Sequence, residues 1–312
     1  MALPAGGKKV NKVKRFFGII GPGLITGASD DDPSGIVTYT QAGSAFNYQL
    51  LWSALVTYPL MVSIQEMCAR IGLVTDRGLT SIIKEHYSRT TLYVILVISF
   101  ISITLNIGAD IAAMGAVGNL LFPSIKPFFF SIFFTLLIFY SVIFWSYHKI
   151  ALILKWLCAS LLGYIAIPFI VHVPWMRVLR DTFLPDIIIN KEYLMMFVGI
   201  LGTTISPYLF FWQASMEVED RAEKHLFIGK KSISNMETDI NVGMLFSNIC
   251  FYFIVLSAGS VLFGAGVRHI DTVEEAARAL RPLAGEYAYF LFALGVIGTG
   301  FLALPVLAGA IS

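Results

Sequence analysis

The chain has 312 residues, 57% of them hydrophobic and only 13% charged, with a mean hydropathy of +0.76 and a formal charge of +2. That composition excludes an ordinary soluble globular domain and points to a polytopic membrane protein. The net charge is too small to indicate nucleic-acid binding. The three cysteines, Cys68, Cys158 and Cys250, lie far apart in apolar stretches without metal-ligand or redox spacing, so they read as packing residues.

Residues 1–15 carry Lys8, Lys9, Lys12, Lys14 and Arg15, the density of a basic tail on the cytoplasmic side of a membrane. No small-residue cleavage pattern follows, so the first apolar segment is expected to stay and act as its own insertion signal. Runs long enough to cross a hydrocarbon core of about 30 Å follow near 16–40, 48–74, 91–121, 127–147, 150–173, 192–216, 239–264 and 284–310. With the N-terminus inside, roughly two thirds of the 22 Lys and Arg residues fall on the cytoplasmic side. The outer loop 174–191, with Arg177, Arg180 and Lys191, runs against that bias, although Asp181 and Asp186 accompany them. A plasma (inner) membrane of prokaryotic type is the expected location.

The first span holds Asp30-Asp31-Asp32-Pro33 inside an apolar run. A carboxylate at that depth costs several kcal/mol unless it meets water, a cation or a partner. Pro33 lacks an amide hydrogen and disfavours helix at the residue before it, so the helix should break there and free carbonyl oxygens beside the negative charge. Non-helical backbone survives in a bilayer only inside protein or along a cavity, which points to a cation-binding cavity near the midplane.

In the second span Glu66 and Arg70 stand one turn apart, the spacing of an ion pair near the interface. The third span places Asn106 and Asp110 in an apolar run with no basic neighbour, so Asp110 needs a partner elsewhere. Its small residues Gly108, Ala109, Ala112, Ala113 and Gly115 would let a neighbouring helix come close. His148 and Lys149 read as turn residues. The phenylalanines of 128–144 read as packing or lipid-facing groups.

The sixth span repeats the oddity of the first, with Pro207 interrupting it just after Gly202, Thr203, Thr204 and Ser206. Either break alone could be a proline kink. Two interrupted spans five apart are the pointer to a transporter built from inverted five-helix repeats. The expected layout is a tail (1–15), a first repeat (16–173), an outer loop (174–191) and a second repeat (192–312) that holds only three spans and so looks truncated.

From Gly21 onward the chain resembles the Nramp family of divalent metal transporters. Gly-Pro-Gly at 21–23 with Asp32-Pro33 resembles the first-helix motif, usually Asp-Pro-Gly-Asn. Leu-Leu-Trp at 50–52 and Cys-Ala-Arg-Ile-Gly-Leu-Val-Thr-Asp-Arg-Gly-Leu at 68–79 look like the second helix and its loop, and Gly-Ala-Asp-Ile-Ala at 108–112 like the third. Gly-Thr-Thr-Ile-Ser-Pro-Tyr at 202–208 sits where the family has Gly-Ala-Thr-x-Met-Pro-His. The resemblance implies an all-α, LeuT-like inverted-repeat fold with helices 1 and 6 broken.

The departures matter as much. Ser34 and Gly35 replace the family's Gly and Asn, removing its amide ligand, and Ser206 replaces the methionine that contacts the metal. An all-oxygen, enlarged site loses its preference for softer metals and suits Mg²⁺, which keeps part of its water shell. The pattern looks like the Nramp-related magnesium transporter branch. Tyr208 and Gln213 stand for two sixth-helix histidines and Ala113 for a third-helix glutamate, so proton relay is expected to be absent. In the family Asp110 would pair with a ninth-helix arginine that this chain lacks.

The expectation is therefore a transporter carrying Mg²⁺, with Mn²⁺ as second candidate, by alternating access without proton coupling. Asp32 is the charged ligand. The carbonyl of Thr203 and the hydroxyl or a water at Ser206 face it, with the carbonyl near Ser34 or Gly35 as a further oxygen. Asp30, Asp31, Pro33, Asp110, Pro207, Tyr208 and Gln213 shape the cavity or gate it. The expected partners are the bilayer and a divalent cation, with no resident cofactor, no nucleic acid and the oligomeric state left open. The rivals are a proton-coupled Mn²⁺ or Fe²⁺ carrier, a sodium-coupled small-solute carrier that three aspartates would disfavour, and an inactive fragment. A membrane enzyme holding Mg²⁺ for diphosphate chemistry would need a second acidic cluster and basic clamps at membrane depth, and the sequence offers neither.

Overall fold

The computed structural model describes residues 21–144, 162–224, 228–270 and 272–311, apart from the side chains of 163, 164, 224, 278–289, 291 and 311. The basic tail, His148, Lys149, Cys158 and much of the fifth predicted span lie outside the described residues. What is described is helix and connecting loop, with no strand among the described residues. The helices are α1 (Pro22–Asp30), α2 (Pro33–Phe46), α3 (Ser53–Thr75), α4 (Leu79–His86), α5 (Arg89–Leu121), α6 (Pro127–Phe144), α7 (Leu162–Ile170), α8 (Trp175–Phe183), α9 (Lys191–Thr204), α10 (Pro207–Lys224), α11 (Lys230–Ala258) and α12 (Val273–Ile311). A π-turn over Gly259–Phe263 continues α11.

Both expected breaks are present. Proline tolerates the first position of a helix because its missing amide hydrogen would be unpaired there anyway, and α2 and α10 each begin on one, Pro33 and Pro207. Asp31 and Asp32 separate α1 from α2, and Ile205 and Ser206 separate α9 from α10. Elsewhere the ends follow ordinary capping. Ser88 Oγ accepts from Thr91 N at 3.1 Å before α5, and Asn190 Oδ1 accepts from Tyr193 N at 2.8 Å before α9.

Among the described residues five helical stretches are long and apolar enough to cross a membrane, at Arg89–Leu121, Pro127–Phe144, Lys191–Glu223, Lys230–Phe263 and Phe292–Ala310. The first predicted span is not among them because its break divides it into pieces of 9 and 14 residues. These two short helices sit at the centre of the packing, with α11 and α12 against both, α10 against α1, and α5 and α9 against α2. By contrast only Phe134 and Ile138 of α6 are buried, and Phe128, Phe133 and Phe139 are exposed, as lipid-facing residues would be.

One sequence expectation changes here and a second narrows. Glu66 and Arg70 do not pair with each other, because their shared face meets α11. Arg70 Nη2 binds Glu237 at 2.7 Å and Glu66 Oε1 accepts from Asn241 Nδ2 at 2.8 Å. The small-residue stripe of α5 approaches α6 at its C-terminal end, where a Cβ at Gly115 would meet Pro127 O at 2.8 Å, while Gly108 faces nothing within 4 Å. The tightest approach is instead between α1 and α11. A Cβ on Gly23 would reach the Asp239 backbone at 2.7 Å, and one on Gly27 would run into the backbone of Gly243. Glycine at these positions lets two helices touch along their backbones.

Candidate metal site

Asp32 is the N-cap residue of α2, with φ −69° and ψ 168°. Its Oδ1 accepts from Gly35 N at 2.6 Å, the ordinary capping bond, and from Ser34 Oγ at 2.8 Å. Its Oδ2 turns away from the helix, accepting from Asn106 Nδ2 at 2.7 Å and standing 3.5 Å from the Tyr208 hydroxyl. That hydroxyl also donates to Ser29 O at 2.9 Å, so Tyr208 ties the second break to the first. The residue is 2% exposed.

Asp110 finds its partner in backbone rather than in a basic side chain. Its Oδ1 accepts from Ser34 N at 3.0 Å, so two carboxylates sit at the N-terminus of α2, where the helix dipole and unpaired amides favour anions. Asp110 Oδ2 has no hydrogen-bond partner. Asp30 is fully buried and accepts from Ser247 Oγ of α11 at 2.9 Å, leaving Oδ1 without a partner, and Asp31 is fully buried with neither oxygen partnered. Among the described residues none of these four acids belongs to an ion pair.

At the second break the polar groups bond close to home. The Ser206 hydroxyl turns back onto its own helix, within 2.9 Å of Thr203 O and 3.1 Å of Gly202 O. The Thr203 side chain faces the first break. A Cβ built on Gly35 would lie 3.0 Å from Thr203 Oγ1, 3.2 Å from Asp32 Oδ1 and 3.4 Å from Asp30 O, so the missing side chain keeps an oxygen-lined cradle open. Gln213 lies deeper in α10, accepting from Thr26 Oγ1 at 2.6 Å and donating to Glu217 at 2.9 Å, which fastens α10 to α1 away from Asp32.

Two contributors were not assigned to the site by sequence. Asn106 reaches Asp32 because it stands one turn before Asp110 on α5; that i, i+4 spacing of two polar residues in an apolar run was the available signal. Asp239 of α11 accepts from Gly21 N at 2.8 Å, Gly23 N at 2.7 Å and Leu24 N at 3.3 Å. It caps α1 from another helix, 216 residues away in sequence, and no local pattern announces such a cap.

Among the described residues no three His, Cys, Asp or Glu side chains converge as a metal cage. Asp32 and Asp110 both reach the N-terminus of α2, while Asp30 turns to Ser247 of α11. A separate cavity of about 670 Å³ between α4, α5 and α10, with Leu79, Phe100, Phe211 and Ser215 in its wall, carries no carboxylate.

A family model described as natural resistance-associated macrophage protein-like (Nramp) matches residues 23–312. Among curated proteins, a divalent metal cation transporter MntH of Caldanaerobacter subterraneus is 25% identical over 299 residues, covering 93% of this chain and 69% of that one. One of Verminephrobacter eiseniae is 28% identical over 290 residues, covering 90% and 64%. The crystal structure of the Eremococcus coleocola manganese transporter with an aromatic bis-isothiourea compound superposes with a TM-score of 0.75 at 19% identity, over 99% of this chain and 68% of that one. The chain thus spans about two thirds of the length of these relatives.

Proposed function

The chain belongs to the Nramp family, and from that premise we propose that it is an integral membrane transporter of divalent metal cations, with Mg²⁺ as cargo and Mn²⁺ as second substrate. Asp32 carries the reading. It is a buried carboxylate at the break of a central membrane helix, has no basic partner among the described residues, and faces the hydroxyls of Ser34 and Tyr208 and the Thr203 side chain across the Gly35 cradle. The oxygens around it are hard donors, which favour Mg²⁺ over metals that want sulfur. Ser206 holds the Thr203 carbonyl rather than the metal, and Asp30, Asp31 and Asp110 supply negative potential around the cavity.

Alternating access would exchange this cradle between the two faces of the membrane by movement of the half-helices α1 and α9 about the breaks. The N-terminus is inside, and residues 16–173 and 192–312 belong to two oppositely oriented repeats. Coupling to protons is absent because Tyr208, with a reference pKa of about 10, stands where a titrating histidine would relay them. A divalent cation gains roughly 4.6 kcal/mol per 100 mV on moving inward, sufficient to drive uptake. Uptake of Mg²⁺, Mn²⁺ and Cd²⁺ into proteoliposomes, with a pH dye inside, tests this. Mg²⁺ entry without acidification supports it; entry of Cd²⁺ or Mn²⁺ alone, with acidification, identifies a proton-coupled transition-metal carrier instead.

A further inference from the structure

We propose that Asn106 of α5 supplies an amide-oxygen ligand of the cation, and that its side chain flips when the cation arrives. This rests on the reading of Asp32 as the metal ligand. Asn106 bridges the two residues of that site, with Nδ2 2.7 Å from Asp32 Oδ2 and Oδ1 2.7 Å from Ser34 Oγ. Ser34 Oγ has a single hydrogen but two acceptors, Asn106 Oδ1 at 2.7 Å and Asp32 Oδ1 at 2.8 Å. One of those contacts therefore lacks a proton at any moment.

Turning the amide over removes that conflict, because Nδ2 then donates to Ser34 Oγ while Ser34 donates to Asp32 Oδ1. The turn also sets Asn106 Oδ1 against Asp32 Oδ2, two oxygens 2.7 Å apart that a cation between them, or a proton on the carboxyl, would reconcile. Neighbouring ligands of an octahedral ion with bonds of 2.0–2.1 Å lie about 2.9 Å apart. The separation between the amide and the carboxylate already approaches that edge, whereas the longer bonds of Ca²⁺ need a wider one. With no cation the amide hydrogens face Asp32 and hold its charge. When the cation is bound, it holds the charge of Asp32 and the amide oxygen turns to the cation.

The experiment compares wild type with Asn106→Leu and Asn106→Asp in proteoliposomes, reading KM for Mg²⁺ and Mn²⁺ on protein that elutes as a single species. Asn106→Leu should raise KM about tenfold or more, while Asn106→Asp, which keeps an oxygen but cannot donate, should stay within about threefold of wild type. Where the aspartate chain does not insert, Asn106→Ser takes its place and should lie between the two. An unchanged KM in Asn106→Leu, or oxygen-bearing variants as impaired as Asn106→Leu, would show that Asn106 only steadies Asp32 and would overturn the proposal. A wild type that carries neither metal would instead defeat the transport reading itself, so the two failures are distinguishable.

Discussion

The two helix breaks answer the same steric event, a proline after a short polar stretch, in opposite ways. At the second, the loose groups are satisfied locally, with Ser206 closing on the carbonyls of Gly202 and Thr203. At the first they are satisfied across the molecule, with Asn106 from α5 and Tyr208 from α10 meeting Asp32, and Asp110 from α5 meeting Ser34 N. Even the far end of α1 is held by a carboxylate from α11, Asp239. A proline and a polar flank are enough to interrupt a helix. Negative charge is what recruits other helices around the interruption.

Filling the cradle should separate the two breaks most sharply. Gly35→Val would place side-chain carbon against Thr203 Oγ1 and Asp32 Oδ1, and is expected to abolish divalent uptake while the protein still inserts, as measured by uptake rate and elution profile. Uptake close to wild type would mean that the cradle is not on the cation's path. Next, Asp239→Asn should loosen α1. Three amides lose a charged acceptor, a loss on the order of 1–3 kcal/mol, read as a lower unfolding midpoint in detergent and faster labelling of a cysteine placed at Thr26. Tyr208→Phe, which removes the hydroxyl linking the breaks, is expected to raise KM a few-fold, in keeping with about 1 kcal/mol for one neutral hydrogen bond. The smallest change belongs to Ser206→Ala. Its hydroxyl serves only its own helix end, so KM should stay within about twofold of wild type; a larger loss would place this side chain on the metal after all.

Both breaks were legible in the sequence, because proline acts on its immediate neighbours and needs no tertiary context. So was the polarity of the site, since Asp32 and Asp110 in apolar runs admit few explanations. What sequence could not supply was direction. Glu66 and Arg70 share a helix face but turn to α11. Asp239 shows the limit most plainly, for a cap on α1 drawn from a residue 216 positions later has no local signature. Asn106 falls between these cases, marked by its spacing from Asp110 but assigned only once Asp32 lies beside it.

Divalent-cation binding by purified wild type and Asp32→Asn, measured by titration calorimetry with Mg²⁺ and with Mn²⁺, tests the central claim most directly. On the proposed reading Asp32 is the charged oxygen donor of the site, so the asparagine variant should elute as wild type does yet bind at least about tenfold more weakly. Equal affinity in the two proteins would contradict the account and move the cation away from the first break.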